Sequence, residues 1–162
     1  MTEQPGGGTY AGFWRRFVAY LIDNLIISAI SQFLFIPFLA MLGIGSWKAM
    51  EYDPDPEMWI GLLIAVLVGM SFLILVSFIL GWLYYALMES STNQGTLGKM
   101  ALGIQVTDLE GKRISFGRAT GRYFGKILSN MILLIGFIMA AFTEKKQALH
   151  DLIAGTLVVK KV

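Results

Sequence analysis

The sequence contains no cysteine and a single histidine, His150. The first absence excludes disulfides and thiol chemistry, and the second leaves a metal site without its usual ligands. Charge is scarce as well: 15% of residues are Asp, Glu, Lys or Arg, against about 25% in ordinary soluble domains. A formal net charge of +2 is too small to suggest nucleic acid. No nucleophile, base and orienting group occur as a set, so neither an enzyme nor a cofactor is expected. With 162 residues there is room for one membrane domain but no sizeable soluble core besides it.

What the sequence has in quantity is apolar length. Hydrophobic residues make up 56% of the chain, and the mean hydropathy is +0.64. Three stretches carry no acidic or basic residue: 24–47, 58–88 and 127–143. The first two exceed the ~20 residues that cross a ~30 Å hydrocarbon core, and the third is near the lower limit. The expected fold is therefore an all-α membrane protein with spans over about 13–46 and 58–88. The segment 127–143 forms either a short third span or a re-entrant turn bending near Asn130 or Gly136. Residues 13–162 constitute the membrane domain, and the Gly-rich, polar residues 1–12 form a flexible tail. The first run is too long for the apolar core of a cleavable signal, and it contains Asp23.

The first run also holds the chain's most informative polar pattern. Arg16 and Asp23 are seven residues apart, about 10 Å of helical rise and nearly the same face. Tyr20, Asn24, Ser28, Ser31 and Gln32 share that half of the wheel, while Val18, Ile22, Leu25, Ile26, Ile30 and Phe33 occupy the other. A carboxylate at the bilayer centre costs about 2.5–3.5 kcal/mol, so Asp23 must be paired, hydrated or protonated. Arg16 is its nearest partner in sequence. Pro37 predicts a kink in this helix, and Gly43 and Gly45 its end. In the second run Gly61, Ala65 and Gly69 recur every four residues and form a candidate helix-packing face.

The connecting segments give orientation. Residues 48–57 carry one lysine against Glu51, Asp53, Asp55 and Glu57, with Pro54 and Pro56 among them, and read as a solvated loop rather than a calcium site. Residues 89–126 hold six Lys and Arg. The positive-inside rule places this second segment and the N-terminus in the cytoplasm. Glu89 is expected at the interface, on a lip where it could also receive a cation. The run from Gly95 to Lys99 lacks the spacing and hydroxyl of a phosphate loop. Residues 102–107 alternate as a strand, 108–111 supply a turn, and 112–115 return as its hairpin partner, with 156–160 as a further strand beside them. Arg118, Arg122 and Lys126 recur every four residues and are expected to form a basic anchor at the membrane surface.

Taken together, RRFVAYLID (15–23), GTLGKMALGIQVTDLEG (95–111) and LHDLIAGTLVV (149–159) resemble the RDD family of membrane proteins, named for one arginine and two aspartates. The resemblance covers nearly the whole chain from Gly12 to Lys161. It implies that Arg16, Asp23 and Asp151 are the signature residues and that the protein resides in a bacterial membrane; ion or small-ligand transport has been proposed for the family.

Two functions follow as expectations. In the first, an oligomer exchanges a monovalent cation for protons at Asp23, with Arg16 and Asp151 as a charge network and Tyr20, Asn24, Ser28, Ser31, Glu89 and His150 in support. Two or three spans do not enclose a path alone, so a homo-oligomer is required, packed through Gly61, Ala65 and Gly69. In the second, a non-transporting module uses the same charges as structural locks and its cytoplasmic hairpin as a docking surface for a protein partner. The lipid bilayer is a partner in both. The sequence favours transport, because the polar stripe extends beyond what one ion pair needs.

Overall fold

The computed structural model describes residues 9–51, 55–131 and 135–161. Two long helices dominate: α1 (Phe13–Glu51) and α2 (Pro56–Ser90). Both are long and apolar enough to cross a bilayer. Phe33, Ile36, Leu67 and Phe72 stand exposed along them, a surface suited to lipid rather than water. α1 continues through Pro37 and past Gly43 and Gly45 to Glu51. The expected end at the two glycines is therefore corrected: in a membrane helix glycine is well tolerated, and nothing there draws the backbone out of its ladder.

The chain divides into two compact units. One comprises residues 26–81, the apolar bodies of the two long helices. Within it Gly69 lies against the Phe38 ring of α1, so closely that a Cβ would collide with it. Gly61 has no such neighbour, and Ala65 is exposed.

The other unit contains residues up to Leu25 and from Trp82 onward. After α2 come α3 (Leu97–Ala101), β1 (Ile104–Asp108), α4 (Phe116–Met131), α5 (Ile135–Phe142), α6 (Leu149–Ala154) and β2 (Thr156–Lys160). β1 and β2 pair antiparallel, with Val106 opposite Val158. The hairpin expected between 102–107 and 112–115 is thus corrected. Asp108 Oδ1 accepts the N–H groups of Glu110 (3.0 Å) and Lys112 (2.7 Å), which holds that segment as a loop. The strand with more apolar surface to bury, TLVVK, takes the place beside β1. Residues 9–11 also join β2: Lys160 N donates to the Thr9 carbonyl at 2.9 Å, and Ala11 N to the Val158 carbonyl at 2.8 Å. The end of the expected N-terminal tail is therefore tied to the sheet, and residues 1–8 lie outside the described residues.

Ala11, Ala19, Ala86, Ile104, Val106, Ile114, Ala119 and Val158 form the core of this unit, with Trp82 and Leu102 packed against it. The anticipated third span, 127–143, includes residues 132–134, which lie outside the described residues. On either side are separate helices. α5 has eight residues and rises about 12 Å, short of a span. It packs on α4, where Gly136 approaches Ser129 so closely that a Cβ would come within 2.7 Å of its side chain. A third crossing helix is not confirmed.

Candidate functional site

The three signature positions separate into two clusters. Asp23, 1% exposed, is the centre of the first. Its Oδ1 accepts hydrogen bonds from the Tyr84 hydroxyl (2.8 Å) and the Gly98 N–H (2.8 Å), and its Oδ2 from the Thr96 hydroxyl (2.5 Å). The Tyr84 hydroxyl in turn accepts the Leu97 N–H at 3.0 Å. The first turn of α3, whose N–H groups have no intrahelical acceptor, is thereby satisfied by a carboxylate from α1 and a phenol from α2. Gly98 is required for the approach: a Cβ there would collide with the Ala19 carbonyl and lie 3.0 Å from Asp23. The expected partnership of Asp23 with Arg16 is corrected, because neutral donors take both carboxylate oxygens.

The second cluster is a continuous ion network. Arg16 Nη1 donates to Asp151 Oδ2, and its Nε to the Ala11 carbonyl at 2.9 Å. Asp151 Oδ1 accepts from Arg122 Nε (2.8 Å) and Nη2 (2.6 Å). Arg122 Nη1 reaches Glu89 Oε2 at 2.8 Å, and Glu89 Oε1 also accepts from Lys99 (2.5 Å) and Lys126 (3.3 Å). One guanidinium fork thus bridges two carboxylates on α2 and α6, a geometry that lysine cannot supply. Lys126 also lies 3.8 Å from the centroid of the Tyr85 ring, in cation–π range.

Local structure fixes these positions. Asp151 is in the first turn of α6, where its Oδ2 takes the Ala148 N–H at 3.1 Å, and Gly155 ends that helix in the left-handed region. α6 packs on α4 where Gly125 faces the His150 backbone; a Cβ at 125 would lie 3.2 Å from the His150 Cα. Trp82 Nε1 donates to the Thr120 hydroxyl at 3.2 Å, securing α4 to the end of α2.

Burial sets the electrostatics of the residues beyond the spans. It opposes ionisation of Asp151, but Arg122 and Arg16 hold that carboxyl well below its usual range. Burial, aided by the charge on Arg122, pushes Lys99 down to about 7 despite Glu89. His150, whose Nε2 is 3.5 Å from Asp151, is pushed down to about 3 chiefly by burial.

A cavity of about 250 Å³ opens beside the network. Arg16, Tyr20, Asp23, Tyr85, Lys99, Arg122, Lys126 and His150 line it, together with Phe13, Phe17 and other apolar groups. Of the other anticipated supporting residues, Asn24 is half-buried, while exposed Ser28 and half-buried Ser31 belong to the unit of residues 26–81.

The model of the RDD family matches residues 10–155. The chain belongs to the RDD family. It is 43% identical to the uncharacterized protein YxaI of Bacillus subtilis over 93% of this chain and 97% of that one. It is 32% identical to the uncharacterized membrane protein YteJ of the same organism, over 93% and 80% of the respective chains. No solved structure matches it.

In this RDD protein the sequence reading missed Arg122 and Lys99, and it assigned Arg122 and Lys126 to a surface anchor. That role is corrected: Arg122 is 1% exposed, and both side chains reach Glu89. A lone carboxylate ending a 31-residue uncharged run was the available signal, because buried acids require cationic partners.

Proposed function

We propose that this RDD protein is a non-transporting interaction module of the bacterial cytoplasmic membrane, with its signature charges acting as structural locks. The observation that carries this reading is the chain of contacts Arg16–Asp151–Arg122–Glu89, which ties α1, α2, α4 and α6 together. Asp23 does the equivalent for α3. The module is oriented with its N-terminus and basic segments in the cytoplasm, as the acidic 48–57 segment and the basic 89–126 segment favour. The proposal includes no catalysis.

Cation–proton exchange by an oligomer is the second reading, favoured by the place of Asp23 on the cavity wall. A lock and an exchange site respond differently to Asp23→Asn. In proteoliposomes, the lock predicts no dissipation of a pH gradient by sodium, potassium or lithium in the native protein, and a lowered thermal midpoint in the variant. Cation-dependent proton movement by the native protein, lost in an equally stable Asp23→Asn, would overturn the lock in favour of exchange.

A further inference from the structure

The charges around the cavity do not balance. Arg16, Lys99, Arg122 and Lys126 line it, whereas the two carboxylates that pair with them, Glu89 and Asp151, are not among its lining residues. Glu89 and Asp151 offset two of these four positive charges. Asp23 also reaches the wall, where the neutral Tyr84, Thr96 and Gly98 donors bond its oxygens without cancelling its charge, so three carboxylates face four cations and one positive charge is in excess. The remaining lining is largely apolar: Phe13, Phe17, Ile138, Ala140, Ala148 and Val158.

A second observation is independent of charge. Tyr85, 6% exposed, lines the cavity, and no group among the described residues bonds to its buried hydroxyl. A buried hydroxyl left without a partner costs about 1–3 kcal/mol, a cost that an acceptor in the cavity would remove. Neighbouring cations without enough anions are costly in the same way. Burial and Arg122 together depress Lys99 to about 7, and a bound anion would relieve that repulsion.

We propose that this cavity is a binding site for a phosphate-bearing anion, held by Arg16, Lys99, Arg122 and Lys126 and receiving a hydrogen bond from the Tyr85 hydroxyl. Arginine and lysine side chains lining one cavity suit a tetrahedral oxyanion with several acceptor oxygens. The volume is below the ~300–1,000 Å³ typical of sites for drug-sized ligands, so the cavity takes a headgroup-sized moiety rather than a whole lipid. Its apolar wall favours the phosphate of an anionic phospholipid over soluble phosphate, with acyl chains lying outside the cavity. The assignment concerns the cation-rich wall and is independent of whether Asp23 is a lock or an exchange site.

The test uses the full chain in nonionic detergent micelles. Its thermal midpoint is followed while dioctanoyl phosphatidic acid, dioctanoyl phosphatidylcholine or inorganic phosphate is added to the native protein, Tyr85→Phe and Lys126→Gln. Tyr85→Phe removes only the unpartnered hydroxyl and keeps the ring under Lys126, so its fold is retained. The expected result is stabilisation by phosphatidic acid but not phosphatidylcholine, with affinity roughly tenfold weaker in Tyr85→Phe, the scale of one hydrogen bond to a charged group. Equal stabilisation by inorganic phosphate, weakened in the same variant, would support the site with a soluble ligand. No stabilisation by either phosphate compound, or native affinity in Tyr85→Phe whatever Lys126→Gln does, would overturn the assignment.

Discussion

Arg118 and Arg122 are one helical turn apart on α4 and carry the same charge, but they occupy opposite physical situations. Arg122 is enclosed and bridges Glu89 and Asp151, while Arg118, 45% exposed, lies 3.8 Å from Asp108. Removing a buried partner strands the charges it neutralised, whereas an exposed ion pair is screened by water and salt. Arg122→Gln is expected to destabilise the protein by about 3 kcal/mol, the lower end for a broken buried pair because Lys99, Lys126 and Arg16 remain. Arg118→Gln should change stability by less than about 1 kcal/mol. Denaturant unfolding in micelles separates the two, and equal losses would contradict the network's importance. Arg16 and Asp23 stand out in the sequence as charges at the start of and inside an apolar run, whereas Asp151 is marked only by the family resemblance. Arg122 was not legible, since a basic stripe at four-residue spacing looks the same whether it faces lipid headgroups or buried acids.

At the scale of elements, α3 shows how a five-residue helix, too short to be stable alone, is held in place. Its early N–H groups are taken by Asp23 and Tyr84, and that geometry depends on Gly98. Gly98→Ala is expected to cost at least about 1–3 kcal/mol, because the obstacle is the α1 backbone, which cannot rotate away. Gly121→Ala, in α4 with nothing within 4 Å of the added Cβ, should be neutral or stabilise by up to about 1 kcal/mol. Comparing their thermal midpoints tests the contact directly, and a harmless Gly98→Ala would show that α3 does not need the close approach. The two apolar helices were legible from length alone, since few other structures accommodate such runs. The partner of β1 was harder to read: residues 112–115 are near in sequence and 156–160 are distant, and local turn chemistry does not reveal which segment buries more surface.

For the whole molecule, the buried charges predict an asymmetric response to pH. His150 has its folded-state value pushed down to about 3, mainly by burial, whereas in an unfolded chain it binds a proton near 6.5. Between those values the unfolded state holds more protons, so stability falls as pH drops. Asp151 is well below its ordinary range because Arg122 and Arg16 outweigh its burial, and its contribution, present above about pH 4, is lost at lower pH. Lys99 acts at the other end. With its folded value near 7, chiefly through burial, it makes stability rise rather than fall from about pH 7 toward 10. Thermal midpoints in micelles should therefore decline from pH 6.5 to 4, decline further below 4, and show no Lys99-driven loss up to pH 9. In His150→Asn the midpoint should be nearly flat from 6.5 to 4 while the deeper acid loss persists, since Asp151 and its two arginines remain. A native profile that is flat from 6.5 to 4 would show that His150 is not held neutral, and identical slopes in native and variant would assign the upper acid transition to another group.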